Sequence, residues 1–318
     1  MSHTGSPKHQ KTFQTIPLVR AMLRLLITTS VAFLCLHSLS IAQTGTNTRT
    51  NPWRLPNDPL LGFIEIPAGA FTMGADSEEL QADDDNWSRH TVILPTYFIS
   101  TYEVTVVQFA AFVEDAGYQA DRRSLEGLAD HPVTNVSWND AMAYCAWLTI
   151  KLHDWTGTPS VLAHRLRGND GGSRWQVTLP SEAEWEKAAR GTDSRIYPWG
   201  TRRADSTRAS YGGTDLRPVG SYPTGASPYK VLDMAGNVFE WTRSLWGPDV
   251  SRPQFGYPYR PDDGREHLEA PLDILRVLRG GSFFDVERNL RTTIRYRYFP
   301  DFRSDLGGFR VVVSPLSY

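Results

Sequence analysis

Apolar positions alternate with polar ones in short stretches early in the chain, then recur at helical spacing, then give way to a long series of turns. "FIEIPAGAFTMG", residues 63–74, alternates and bends at Gly69 and Gly74, which predicts a strand and hairpin. An acidic loop at Asp83–Asp85 precedes "HTVILPTYFIS", which predicts a strand pair. In "TVVQFAAFVEDAG" the spacing of Val107, Phe109, Ala110 and Val113, with a stop at Gly117, predicts an amphipathic helix. "HPVTNVSWNDAMAYCAWLTIKLHDW" predicts a second helix, with Ser137 or Asn139 as its cap and Ala141, Ala143, Tyr144 and Leu148 as its inner stripe. Residues 154–173 are rich in Gly, Ser, Thr and Arg and are expected to form an exposed loop or a frayed extension of that helix. "WQVTLPSEAEWEKAARG" predicts a strand and then a brief helix, capped by Ser181 with Glu184 at the capping-box position and ended by Gly191.

From there to the C-terminus the chain reads as turns and short strands: "YPWG", "DMAGNVFEWT", "LRGGSFFD", "YRYFP", "LGGFRVV". Ten tryptophans in 318 residues, with 25 glycines and 21 prolines, suit a loop-rich domain whose aromatic side chains bury irregular backbone.

Residues 22–42 have a basic start at Arg24, an apolar stretch and a small-residue ending at Ala42, the pattern of a secretory signal, with Met22 a second candidate start. The stretch is short and broken by His37, which disfavours an anchor, so no stable membrane insertion is expected. The chain then divides into a signal at 1–42, a polar linker at 43–60 and one domain at 61–318, in a periplasmic or secreted protein. Processing at Ala42 removes Lys8, Lys11, Arg20 and Arg24 and no acid, leaving 29 basic against 35 acidic residues, a balance of −6. That argues against a nucleic-acid partner. It also leaves one cysteine, Cys145, which excludes an internal disulfide and any paired-thiolate site; its helical, apolar neighbours predict a packing role.

The words "IPAGAFTMG", "YEVTVVQFAAF", "HPVTNVSWNDAMAYCAWL", "LPSEAEWEKAARG", "YPWG", "DMAGNVFEWT", "LRGGSFF" and "LGGFRV", in this order over roughly residues 62–314, resemble the formylglycine-generating enzymes, or sulfatase-modifying factors. The resemblance implies an α+β domain of C-type-lectin-like fold with little regular secondary structure, usually stabilised by calcium. Members that are enzymes oxidise a cysteine of an unfolded sulfatase peptide, using oxygen and copper(I) held by two cysteines. Those cysteines belong at the third and eighth residues after the serine of the Gly-Gly-Ser turn. In this chain the serine is Ser282 and the two positions hold Asp285 and Leu290. A carboxylate and an alkyl group do not suit Cu(I), so copper and the oxidase activity are expected to be absent.

Three further sets are candidates. The resemblance places calcium on Asp233 and Glu240 with the carbonyls of Gly236 and Val238, and a weaker second site near Ser210, Tyr211 and Asp215. Iron would need His90, His131, Asp285 and Glu287, whose spacing matches no metal motif. Arg291, Arg295, Arg297, Arg303 and Arg310 cluster with Tyr296, Tyr298 and Phe299, and Ser282, Asp285, Arg295 and Arg297 are candidates to line a ligand cleft; equally, the arginines of "IRYRY" and "GGFRV" are candidates to pair with buried acids such as Asp305 and Glu240. Two functions follow: a binding or accessory module that holds a peptide, a small metabolite or a periplasmic protein, or an oxidoreductase or metal-dependent modifier of altered chemistry centred on Ser282 and Asp285.

Overall fold

A computed structural model describes residues 51–75, 88–168 and 174–316. The signal segment, the acidic stretch Asp83–Asp85 and residues 169–173 lie outside the described residues.

Among the described residues, three sheets and four α-helices are linked by long irregular connections, an α+β arrangement as expected. The first sheet has the order β1–β4–β10–β5, built from Phe63–Ile66, Tyr97–Ser100, Val312–Pro315 and Trp175–Thr178, all antiparallel. It joins the two ends of the domain: Val312 lies opposite both Ile99 and Thr178. The predicted hairpin is β2 (Gly69–Met73) against β3 (His90–Leu94). The third sheet has the order β8–β7–β6–β9, from Tyr296–Tyr298, Leu275–Arg279, Phe239–Gly247 and Gly307–Gly308, with β9 parallel to β6.

Helix α1 (Val106–Ala116) begins at Thr105 in a capping box with Gln108 and ends at Gly117 in the left-handed conformation. Its buried face is Val106, Gln108, Phe109 and Phe112, so the predicted stripe is shifted: Val107, Ala110 and Val113 are only partly covered. Phe109 and Phe112 are the residues that reach Tyr144 of the next helix. Helix α2 (Trp138–Asp154) is capped by Ser137, which accepts from the Asp140 amide while Asp140 accepts from the Ser137 amide. Its inner face holds Ala141, Tyr144, Cys145 and Leu148, and Cys145 is buried as predicted. The segment after α2 is not a loop. Leu162, Ala163 and Leu166 form the buried face of a separate helix, α3 (Ser160–Leu166), packed on α2 and β5. The expected linker is also shorter than predicted, since Trp53 and Leu55 are buried in the main core and Trp53 meets Trp147 and Trp155 edge-on.

Helix α4 (Glu182–Arg190) is buried at every residue. Its three glutamates face the rest of the molecule through arginines: Glu182 pairs with Arg295 (2.7 Å) and Arg265, Glu184 with Arg243 (2.6 Å), and Glu186 with Arg190 (3.0 Å) and Arg279. Buried charges persist only when paired, so this lattice fixes α4 beneath the third sheet.

Candidate functional site

The turn between β7 and β8 carries the Gly-Gly-Ser sequence. Gly281 has φ +76°, and a Cβ there would lie 2.9 Å from the Asn289 carbonyl oxygen and 3.0 Å from a Leu290 methyl. Gly236, in the neighbouring 233–240 turn, has φ +79° and would place a Cβ 2.1 Å from the Ser210 carbonyl. Only glycine permits either approach. The two turns are stitched together, Gly236 N–H donating to Gly280 O and Phe283 N–H to Asn237 O, both at 2.9 Å.

Within the turn, Asp285 acts as a cap. Its Oδ2 accepts from the Ser282 amide (2.9 Å) and hydroxyl (2.6 Å), and its Oδ1 accepts from Asn289 Nδ2 (2.6 Å) and from the Tyr296 hydroxyl (3.4 Å). Ser282 is fully buried. Leu290 is also fully buried, packed with Tyr197, Ala209 and Ala235. The two positions that would carry thiolates thus hold a hydrogen-bonded cap and a core side chain. Burial, then the Asp285 carboxylate, push the Tyr296 hydroxyl pKa up, so it stays a donor.

The arginines proposed for the cleft separate. Arg295 is 2% exposed, and its guanidinium turns inward to Glu182 and the Phe255 carbonyl, stacked over Trp246 and Tyr257. It does not line an open cleft. Arg297, in β8, is half-buried, donates to the Val250 carbonyl (2.8 Å) and also lies over the Trp246 ring. Arg310 pairs with Glu240, as one reading of the sequence expected, and Arg303 pairs with Asp140 (2.7 Å) rather than Asp305.

Of the four residues that the resemblance assigns to calcium, the two carboxylates are engaged within the protein. Glu240 is fully buried and both its oxygens are taken: Arg310 Nη2 donates to Oε1 (2.7 Å), and Arg310 Nε (2.6 Å) and Trp185 Nε1 (2.7 Å) donate to Oε2. Asp233 Oδ2 accepts from the Gly220 amide (2.5 Å), and burial pushes its carboxyl up to about 6. In the second set, the Ser210 carbonyl accepts from the Asn237 amide (3.0 Å), the Tyr211 hydroxyl donates to Ala204, and Asp215 is exposed beside Thr214.

The iron candidates are likewise apart. His90 Nε2 lies 2.8 Å from the Tyr259 amide and its Nδ1 2.9 Å from the Ser88 carbonyl, so both ring nitrogens have partners within the protein. His131 meets Asp130 (2.9 Å). Glu287 is held by Arg203, the Ala204 amide and Tyr197, and the Arg203 contact keeps its pKa below the usual carboxylate value. Among the described residues, no three His, Cys, Asp or Glu side chains gather as a metal would require.

What surrounds the turn is aromatic and open. Phe284 and Val286 are 67% and 54% exposed. From Asp285 the face continues through Tyr296, whose ring lies 4.3 Å from Phe239, to a pocket of about 30 Å³ lined by Phe239, Trp241, Leu278, Tyr298, Phe302 and Leu306. Tyr298 and Phe302 stack at 4.1 Å with planes 10° apart. The sequence grouped Tyr298 with the cleft arginines but gave no sign of Phe302, Leu306 or Asn289. The Ser-x-x-Asp spacing at Ser282–Asp285 was an available signal, since the same spacing marks the caps at Ser137 and Ser181.

Three comparisons agree with this geometry. Serine/threonine-protein kinase Pkn1 of Chlamydia trachomatis is 30% identical over 276 residues, covering 80% of this chain but only 38% of that protein, so the chain spans little more than a third of its length. Formylglycine-generating enzyme of Thermomonospora curvata is 28% identical, covering 83% of this chain and 97% of the enzyme. The solved structure of PvdO from Pseudomonas aeruginosa superposes with a TM-score of 0.58 at 25% identity, over 79% of this chain and 94% of PvdO. The model of the sulfatase-modifying factor enzyme 1-like domain matches residues 49–315, so the chain belongs to the formylglycine-generating enzyme (sulfatase-modifying factor) family.

Proposed function

We propose that the protein is an exported binding or accessory module of this family, without copper oxidase activity, that holds an extended peptide segment of a periplasmic partner protein. One observation carries the reading: Asp285 is consumed in capping its own turn and Leu290 is sealed in the core, so the site has no group left to hold or deliver a redox metal. The exposed Phe284 and Val286 and the pocket behind the Tyr298–Phe302 stack support a binding role, because open aromatic surface beside a small apolar pocket is what a partner's side chain uses.

A peptide is favoured over a small metabolite by size. About 30 Å³ admits part of one side chain and encloses no cofactor. Strand β8 also borders this face, and among the described residues no strand pairs with its outer side, where an extended segment could add. Fluorescence anisotropy with a labelled panel of extended peptides, each bearing one apolar anchor residue, tests the reading. Saturable binding that weakens on the order of tenfold in Phe302→Ala is expected. No saturable binding across the panel, or equal affinity in the variant, would contradict it.

A further inference from the structure

The chain carries a formal charge of −2, yet the surface around the Gly-Gly-Ser turn is positive. Residues 199–217 and 282–297 hold eight arginines and four acids between them. The two stretches meet as one surface. Gly212 and Gly213 donate their amides to the Asp285 and Phe283 carbonyls (both 2.9 Å), and Glu287 accepts from the Ala204 amide (3.0 Å) and pairs with Arg203. Arg217 is tied to the same turn through Asn237, whose side-chain oxygen accepts from the Arg217 amide (3.1 Å) and whose carbonyl accepts from the Phe283 amide.

The acids of this surface are engaged locally. Asp285 caps its own turn, Glu287 is held by Arg203, and Asp205 pairs with Arg208. Asp215 alone is open, against three exposed arginines, Arg202, Arg217 and Arg288, whose guanidiniums meet no acid among the described residues. Burial and then Asp285 raise the Tyr296 hydroxyl pKa and the Arg288 guanidinium partly offsets them, so Arg288 stands within electrostatic reach of the aromatic row that leads to the pocket. The exposed Phe284 and Val286 belong to the same turn.

We propose that the segment held at this site is acidic, with aspartate or glutamate beside its apolar anchor on the side of the Gly-Gly-Ser turn. The inference rests on the peptide-binding reading above and adds the charge of the peptide to it. Guanidinium forks suit carboxylates in geometry as well as in sign, and a positive rim on an acidic chain selects a negative partner while repelling a basic one. An anionic lipid surface is the poorer occupant, because the apolar part is two side chains on a turn that carries no amphipathic α-helix.

The test titrates the mature wild-type protein into three labelled peptides that share one central phenylalanine and differ only in its neighbours: aspartate, asparagine or lysine. At low salt the aspartate peptide is expected to bind on the order of tenfold more tightly than the asparagine peptide, and the lysine peptide more weakly than either. About 0.5 M salt shrinks the aspartate preference to about twofold, since it screens exposed pairs. Arg217→Gln with Arg288→Gln does the same at low salt, whereas Phe302→Ala weakens the aspartate and asparagine peptides by one common factor and keeps the preference. Equal affinity for those two peptides, with Phe302→Ala still weakening both, overturns the acidic segment and leaves the peptide site standing. Failure of all three to bind removes the peptide site and this inference with it. Vesicles containing phosphatidylglycerol supply the remaining arm: protein that sediments with them through Arg217 and Arg288, and releases the aspartate peptide as it does so, would assign the rim to a membrane and overturn the proposal.

Discussion

Replacing Asp285 by alanine separates a structural cap from a reactive group. The substitution removes the acceptor for the Ser282 amide, the Ser282 hydroxyl and Asn289 Nδ2. Ser282 is fully buried, so its amide loses its partner without gaining water, at a cost of about 1–3 kcal/mol. Asn289 is half-exposed and rehydrates, adding little. The sum is roughly 2–3 kcal/mol, which for a domain of this size lowers the melting temperature by about 5–10 °C. Asp285→Asn keeps one acceptor oxygen and is expected to lose about half as much. The assay is equilibrium denaturation followed by tryptophan fluorescence, with melting curves alongside. Functional carboxylates sit in strained, underused settings, and removing one often stabilises the fold. An Asp285→Ala variant as stable as the wild type, or more so, would therefore refute the assignment of Asp285 as a cap.

Glu240→Gln leaves the Arg310 guanidinium buried without its carboxylate, a loss of about 3–5 kcal/mol, and because that guanidinium already occupies the carboxylate, calcium and chelator should give the same wild-type melting temperature; a calcium-dependent rise would count against the fit described above. Burial raises the Asp233 carboxyl from 3.8 to about 6, so its contribution is complete below about pH 4 and is lost as pH rises to about 6. Stability measured across that window should fall on the order of 2 kcal/mol further in the wild type than in Asp233→Asn, and parallel curves would show that Asp233 titrates normally. Asp285→Cys with Leu290→Cys should acquire copper(I) affinity, since thiolates suit that ion; a folded double variant that binds none would mean that the two positions do not correspond to the enzymes' cysteine pair.

The parts of the fold that were legible are those decided within a few residues. The caps at Ser137 and Ser181–Glu184, the hairpin at Gly69 and the burial of Cys145 follow from local hydrogen bonding and spacing. The α1 stripe was displaced because Gln108, polar in sequence, is buried as the capping-box partner of Thr105, and because Phe112 answers to aromatic rings of α2. Helix α3 was hidden by the Gly- and Thr-rich composition around it, although Leu162 and Leu166 have helical spacing. Arg295 illustrates the limit for the site. Its partner Glu182 is 113 residues away, and nothing near "IRYRY" distinguishes an arginine facing a ligand from one facing a buried acid. The Gly-Gly-Ser turn and the residues in place of its thiolates are legible in the sequence, whereas the engagement of Asp285 by Ser282 and Asn289 depends on how the turn folds back on itself.

The central claim is that the Ser282 turn has lost the family's copper chemistry and kept its shape. Incubation of the mature wild-type protein with copper(I), oxygen, a reductant and a cysteine-containing sulfatase peptide, followed by mass spectrometry of the peptide, tests it most directly. The cysteine is predicted to survive with no aldehyde formed, whereas formylglycine accumulating in proportion to the protein added would contradict the account.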